Sequence, residues 1–331
     1  MAINIDGNSI DFDTFPMFKT TDGVAINGKI TASDFIAFSE QFQGGVSGYN
    51  SGGRNASARD PIDKFPFASD ANATDVGDLT VTRFNLAGQS SSVSGYSTGG
   101  MTSPPYSGVN VIDKFPFAAN ANATDVGDLP VPYYGNTGQS STVSGYSTGG
   151  GTPTPTSLHR ITKFPFASNA NATDIAALVV PAYGGNNFSA GQSSAVSGYT
   201  SGAGPTLVNT IQKFPFASDA NATDVGDLTQ AAGFGPAGQS SEDYGYTSGG
   251  RPAGNMIDRF PFATDTNATD AGDLTTTGNR RAGQSSLASG YTSGHNSYLT
   301  VIDKFPFASV ANATDVGDLT LGRYGSAGQQ V

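Results

Sequence analysis

Apolar and polar positions follow each other along this chain in short runs, and the same order of runs returns six times. The first full unit reads Ser47-Gly-Tyr-Asn-Ser-Gly-Gly, a variable stretch, Ile62-Asp-Lys-Phe-Pro-Phe-Ala, the turn Ser69-Asp-Ala-Asn-Ala-Thr, then Asp75-Val-Gly-Asp-Leu, a second variable stretch, and Ala87-Gly-Gln-Ser-Ser. No run has the length or spacing of a helix, and turn-forming residues bound each one, so every run predicts a short strand. Tyr49, Tyr96, Tyr146, Tyr199, Tyr246 and Tyr291 mark the first run, 45 to 53 residues apart. Four strands in a repeat of that size are the arithmetic of a propeller blade. The sequence therefore predicts an all-β, six-bladed β-propeller over residues 46–331, with four antiparallel strands per blade.

Position in such a blade assigns roles. The small residues of Ala87-Gly88-Gln89 suit the crowded strand at the axis. Phe65 and Phe67 are the large apolar groups expected between blades. Asp75, Gly77 and Asp78 suit an exposed outer edge, where charge discourages pairing with other chains. The repeat begins without an Ala-Gly-Gln strand and ends with one, so Ala327 to Val331 are expected to complete the first blade and close the ring. The first 45 residues stand outside the pattern. There Thr31-Ala-Ser-Asp34 fits a capping box, and Phe35, Phe38 and Phe42 recur at helical spacing, which predicts one short helix near Ser33 to Gln41. Its apolar stripe needs a surface, either the propeller itself or a neighbouring protein.

Composition narrows the chemistry. The chain of 331 residues has no cysteine, which excludes disulfides and cysteine metal sites. Its 16 Lys plus Arg against 27 Asp plus Glu give a net charge of −11, a poor match for phosphate backbones, so no nucleic-acid partner is expected. The N-terminal residues lack the basic start and apolar run of a secretory signal, and no segment is apolar enough to insert in a membrane.

The order of elements resembles the kelch repeat: Gly52-Gly53, the hydrophobic-Asp-aromatic strand Ile62-Asp63-Lys64-Phe65, Asn72-Ala-Thr74, Leu79 and Arg83 take the corresponding places. The tryptophan of that pattern is missing, and Val76, Val126, Val225 and Val316 are expected to fill its volume. The copper site of kelch-like oxidases needs a cysteine-modified tyrosine, which this chain lacks. The wording of the repeats, from Asp-Lys-Phe-Pro-Phe-Ala to Gly-Tyr-Thr-Ser-Gly-Gly, is similar to repeat proteins of marine bacteriophages, cyanophages especially. That resemblance implies a virion protein made in the host cytoplasm, a tail or fibre component without enzymatic activity that touches the host surface. A decorating subunit and a glycan-active enzyme are the alternatives.

The turn Ser69 to Asp78 places oxygens at alternate positions like a calcium loop, but Asp70 is replaced by Asn120, Asn169 or Val310 in other units, and Asp78 by Ala177. The unchanging Asn72, Thr74 and Asp75 instead predict side chains bonded to the turn's own backbone. Neither metal nor cofactor is expected. The six Asn-Ala-Thr sequons count as one observation, because the repeats are copies. Counting the strands of a blade outward from the axis, what varies among copies lies in the connections between the second and third strands and between the fourth and the next blade's first, which share one face. They carry Arg59, Tyr106, Tyr133, Tyr134, His159, Arg160, Phe188, Arg251, Arg280, Arg281, His295, Tyr298 and Tyr324, residue types suited to partner and sugar binding. A host-surface glycan or protein is the expected partner there, with other virion proteins on the N-terminal segment and a homo-oligomer in the particle as a further possibility.

Overall fold

The structure, a computed structural model, describes residues 43–152, 159–179, 188–204, 207–250 and 254–331. The segment with Phe35, Phe38 and Phe42, and Arg251, lie outside the described residues. Six four-stranded antiparallel sheets form a ring, and among the described residues there is no helix. In the first blade the strands run Ala327–Gln330, Ser47–Asn55, Ser57–Pro66 and Thr74–Asp78 from centre to edge. The C-terminal strand pairs with the first one, Tyr49 opposite Gln329 and Ser51 opposite Ala327, so the ring closes as the sequence predicts. Gly44 also belongs to the ring: its N–H donates to the Ser285 carbonyl at 2.9 Å, and its carbonyl accepts from Leu287 N–H at 3.2 Å.

Glycine sets the hub. A Cβ on Gly138 would lie 2.0 Å from the Gly88 carbonyl oxygen, and one on Gly328 would lie 2.0 Å from that of Gly283. The other inner-strand glycines meet the blade before them at 2.1 to 2.4 Å, so only Gly lets six strands approach this closely. The Gly of each Gly-Tyr pair is fixed by packing instead. On Gly48 a Cβ would strike the Phe65 ring at 2.4 Å, and each of the other five pairs repeats the contact.

Aromatic packing joins the blades. Phe67 stacks on Tyr291 of the sixth blade at 4.9 Å between centroids, Phe65 lies 5.6 Å from the same ring, and Tyr49 meets Phe115 and Phe117 of the second blade in the same way. Ile62 and Leu79 complete such a cluster, with Val76 half-buried against it. Burial pushes the Tyr49 phenol up to about 12.

The six hub glutamines are buried, and their amides bridge the blades. Gln89 Nε2 donates to the Tyr146 carbonyl, Gln139 to Tyr199, Gln192 to Tyr246, Gln239 to Tyr291, Gln284 to Tyr49 and Gln329 to Tyr96, all at 2.8 to 3.0 Å. The Asn-Ala-Thr turns require a correction. Asp75 does bond its own turn, accepting from Gly77 N–H. Asn72, however, accepts from Asp318 N–H of the sixth blade, and Asn122 from Asp78 N–H of the first, at 3.0 and 3.1 Å. The asparagine satisfies the open edge of a neighbour, a role invisible within one repeat.

Candidate functional site on the divergent face

On the divergent face the seams between blades are of more than one kind. Arg83 and Arg323, on the segments entering the second and first blades, are fully buried and pair with Asp113 and Asp63 at 3.0 and 3.1 Å. Burial lowers both guanidinium pKa values, and the facing carboxylates pull them back up. Tyr133 takes the same place before the third blade, buried, its hydroxyl 3.2 Å from Ser147 Oγ and 3.1 Å from Thr162 Oγ1. In the fifth blade Asp258 is buried without an ion-pair partner among the described residues. It accepts from Thr229 N–H at 2.9 Å and from the Thr229 hydroxyl at 2.7 Å, and burial raises its pKa.

The residues expected to bind partners divide accordingly. Tyr133 and Arg281 are taken up in the interior, Arg281 donating to the Thr276 carbonyl at 2.7 Å and facing Asp303 at 3.5 Å. His295 is buried, with Nδ1 accepting from Ser297 N–H and Nε2–H donating to the Thr277 carbonyl; burial lowers its pKa, which favours that neutral form. Tyr134 is buried. His159 and Arg160 sit apart on the third blade, Arg160 paired with Asp174 at 2.6 Å. Arg59 is half-buried at the seam of the first and second blades, its carbonyl accepting from Arg83 N–H.

The rest assemble into one continuous patch. Tyr298 packs on Tyr324 at 5.6 Å, Tyr324 on Phe84 at 6.2 Å, and Phe84 on Tyr106 at 6.5 Å. The guanidinium of Arg54 lies over Phe84 and Tyr106, at 5.1 and 5.4 Å, and donates to the Tyr106 hydroxyl at 2.9 Å. The guanidinium of Arg280 lies between Phe188 and Tyr324, at 5.2 and 5.1 Å. These cation–π contacts fix both cations against rings while leaving N–H edges free. Phe84 and Tyr324 form the floor, and Tyr106 and Tyr298 stand about half exposed above it, at 50% and 45%. Arg54 and Phe84 were not singled out from the sequence. Their signal was their place in the same connections as the tyrosines.

Two concavities adjoin the patch. One, of about 90 Å³, is the mouth of the hub, lined by Arg280, Phe188, Asn85, Asn136 and Ser326 among others. It is far below the roughly 300–1,000 Å³ of a pocket that encloses a drug-sized ligand. The other, about 490 Å³ and open, runs beside Tyr298 between Leu299, Thr300, Thr275, Asp315 and Asp318. Among the described residues no three His, Asp or Glu side chains gather to hold a metal ion.

The fold and this patch define the class, a six-bladed β-propeller with an aromatic and cationic surface on its divergent face. No protein-family model matches the chain, and no curated protein matches it.

Proposed function

We propose that the chain is a non-enzymatic adhesion module of a phage-type virion, a kelch-like propeller that presents its divergent face to a host-surface glycan or protein. The observation that carries this reading is the patch of Arg54, Phe84, Tyr106, Arg280, Tyr298 and Tyr324. It draws exposed tyrosines and ring-backed guanidinium groups from several connections onto one side of a rigid ring. Aromatic faces and arginine edges are the groups that dominate binding hot spots and sugar stacking. The turn face supports an orientation. Val93, Val143 and Val196, from the turns between the inner strand and its neighbour, and Val46, just before the corresponding strand of the first blade, are each more than 60% exposed, and Gly44 lies beside the sixth blade's turn on the same face. Exposed valines on four of the six blades of this face suit attachment to a neighbouring virion subunit. The opposite face then points outward.

Binding of the purified full chain to intact host cells tests the reading. Saturable binding that Tyr106→Ala and Tyr298→Ala weaken together supports it. Absence of binding at micromolar concentration, or turnover of host polysaccharide by the protein, overturns it.

A further inference from the structure

We infer that the divergent face recognises an acidic saccharide, with the acid group seated at the mouth of the hub against Arg280. This rests on the adhesion reading above and names its ligand class.

The first observation is the state of Arg280. Phe188 and Tyr324 cover the faces of its guanidinium, and among the described residues nothing accepts a hydrogen bond from it. A cation held between two rings with unspent N–H groups, on the lining of a small cavity, is a donor set for a planar oxyanion. In a chain of net charge −11 this cation is local: Arg280 lines the mouth of the hub, where the neighbouring Arg281 is already paired with Asp303, whereas Asp75, Asp78 and their counterparts occupy the outer strands.

The second observation is independent of charge. Tyr298, 45% exposed, packs on Tyr324, the ring that covers one face of Arg280, so an open aromatic face stands beside the cation. Aromatic faces stack on sugar rings, whereas the guanidinium edge takes an oxyanion. The pair suits one ligand that carries both an acid group and a sugar ring.

Backbone geometry agrees. Asn85, Arg280 and Tyr298 adopt φ of 58°, 58° and 59°, in the left-handed region that non-glycine residues occupy at a cost. Three strained residues of one patch, on three different connections, aim their side chains because the surrounding ring holds them. The open groove beside Tyr298 sets the direction of the ligand. Asp315 and Asp318 there repel an acid group and accept from hydroxyls, so the acid lies toward the hub and the remaining sugars extend over Tyr298.

The test is calorimetric titration of the full chain with three oligosaccharide probes of matched length: oligogalacturonate, a sulfated galactan and neutral galactan. The inference expects binding of at least one acidic probe with the neutral one at least tenfold weaker, and the two acidic arms distinguish carboxylate from sulfate. Arg280→Ala is expected to lose tenfold or more in affinity for the acidic probe with an unchanged melting midpoint, and Arg280→Lys to recover part of it. Equal binding of neutral and acidic probes overturns the acid seat but leaves adhesion standing. Saturable binding to host cells with none to any probe overturns the saccharide class alone. Arg280→Ala binding as tightly as the unsubstituted chain removes the assigned residue.

Discussion

The two faces of this ring solve the same problem, joining one blade to the next, in opposite ways. On the turn face every seam is alike: an asparagine of one blade accepts from the outer strand of the blade before it, from Asn122 on Asp78 to Asn72 on Asp318. On the divergent face the seams vary. Asp63, Asp113 and Asp303 each accept from a threonine of the blade before and face a buried arginine, Asp258 keeps the threonine without the arginine, and Thr162 meets Tyr133. Where one bond is repeated six times, no copy can change without opening an edge. Where more than one solution serves, side chains above the seam are free to diverge, and that is where the aromatic and arginine patch stands.

The largest effect is expected at the closure shared by both faces. Deleting Ala327 to Val331 removes the inner strand of the first blade and the Gln329 bridge to Tyr96. Thermal unfolding should fall by about 10 °C or more; an unchanged midpoint would break the account of the ring.

Next come the individual seams. Asp113→Ala strands buried Arg83 and should cost about 3–5 kcal/mol in denaturant unfolding. Asp258→Asn should behave differently, because no arginine depends on Asp258 and an amide still serves both Thr229 contacts. Burial raises the folded-state pKa of Asp258, so the folded chain binds its proton more tightly than the unfolded chain. Its penalty is absent below the ordinary carboxylate value of about 3.9 and complete above the raised folded value. Unsubstituted protein should lose stability across that window as pH rises, and Asp258→Asn should lose less. An equal loss in both would show that Asp258 is compensated by a group other than Thr229.

The smallest effects separate the faces most cleanly. Asn122→Ala and Asn171→Ala should each cost about 1 kcal/mol or less, by nearly the same amount, since each removes one copy of the same bond. Tyr106→Ala, on the exposed side of the patch, should leave stability within about 0.5 kcal/mol. Costs that scatter among the asparagines as widely as among the loop-face seams would dissolve the distinction.

Strand order, blade number, the aromatic seams and the closing strand were legible in the sequence, because each is dictated by period and by residue size at fixed places in a repeat. The burial of Tyr133, Arg281 and His295 was not. All three lie in variable connections, and composition does not say which side of a loop packs inward. Asn72 was legible as a constant residue, yet its partner was misplaced in its own turn. Arg54 and Phe84 escaped notice because neither acquires a role until connections from different blades meet.

The sequence by itself determined a ring of six four-stranded blades, since a repeat of this length with glycine at the axis position and paired aromatics at the seams packs in few other ways. Only the tertiary structure decided which side chains are spent and which remain free. Residues that touch across a seam come from different repeats, 29 residues apart for Thr229 and Asp258, 44 for Asn122 and Asp78, and at opposite ends of the chain where the ring closes, and no periodicity in one unit records what the next blade supplies.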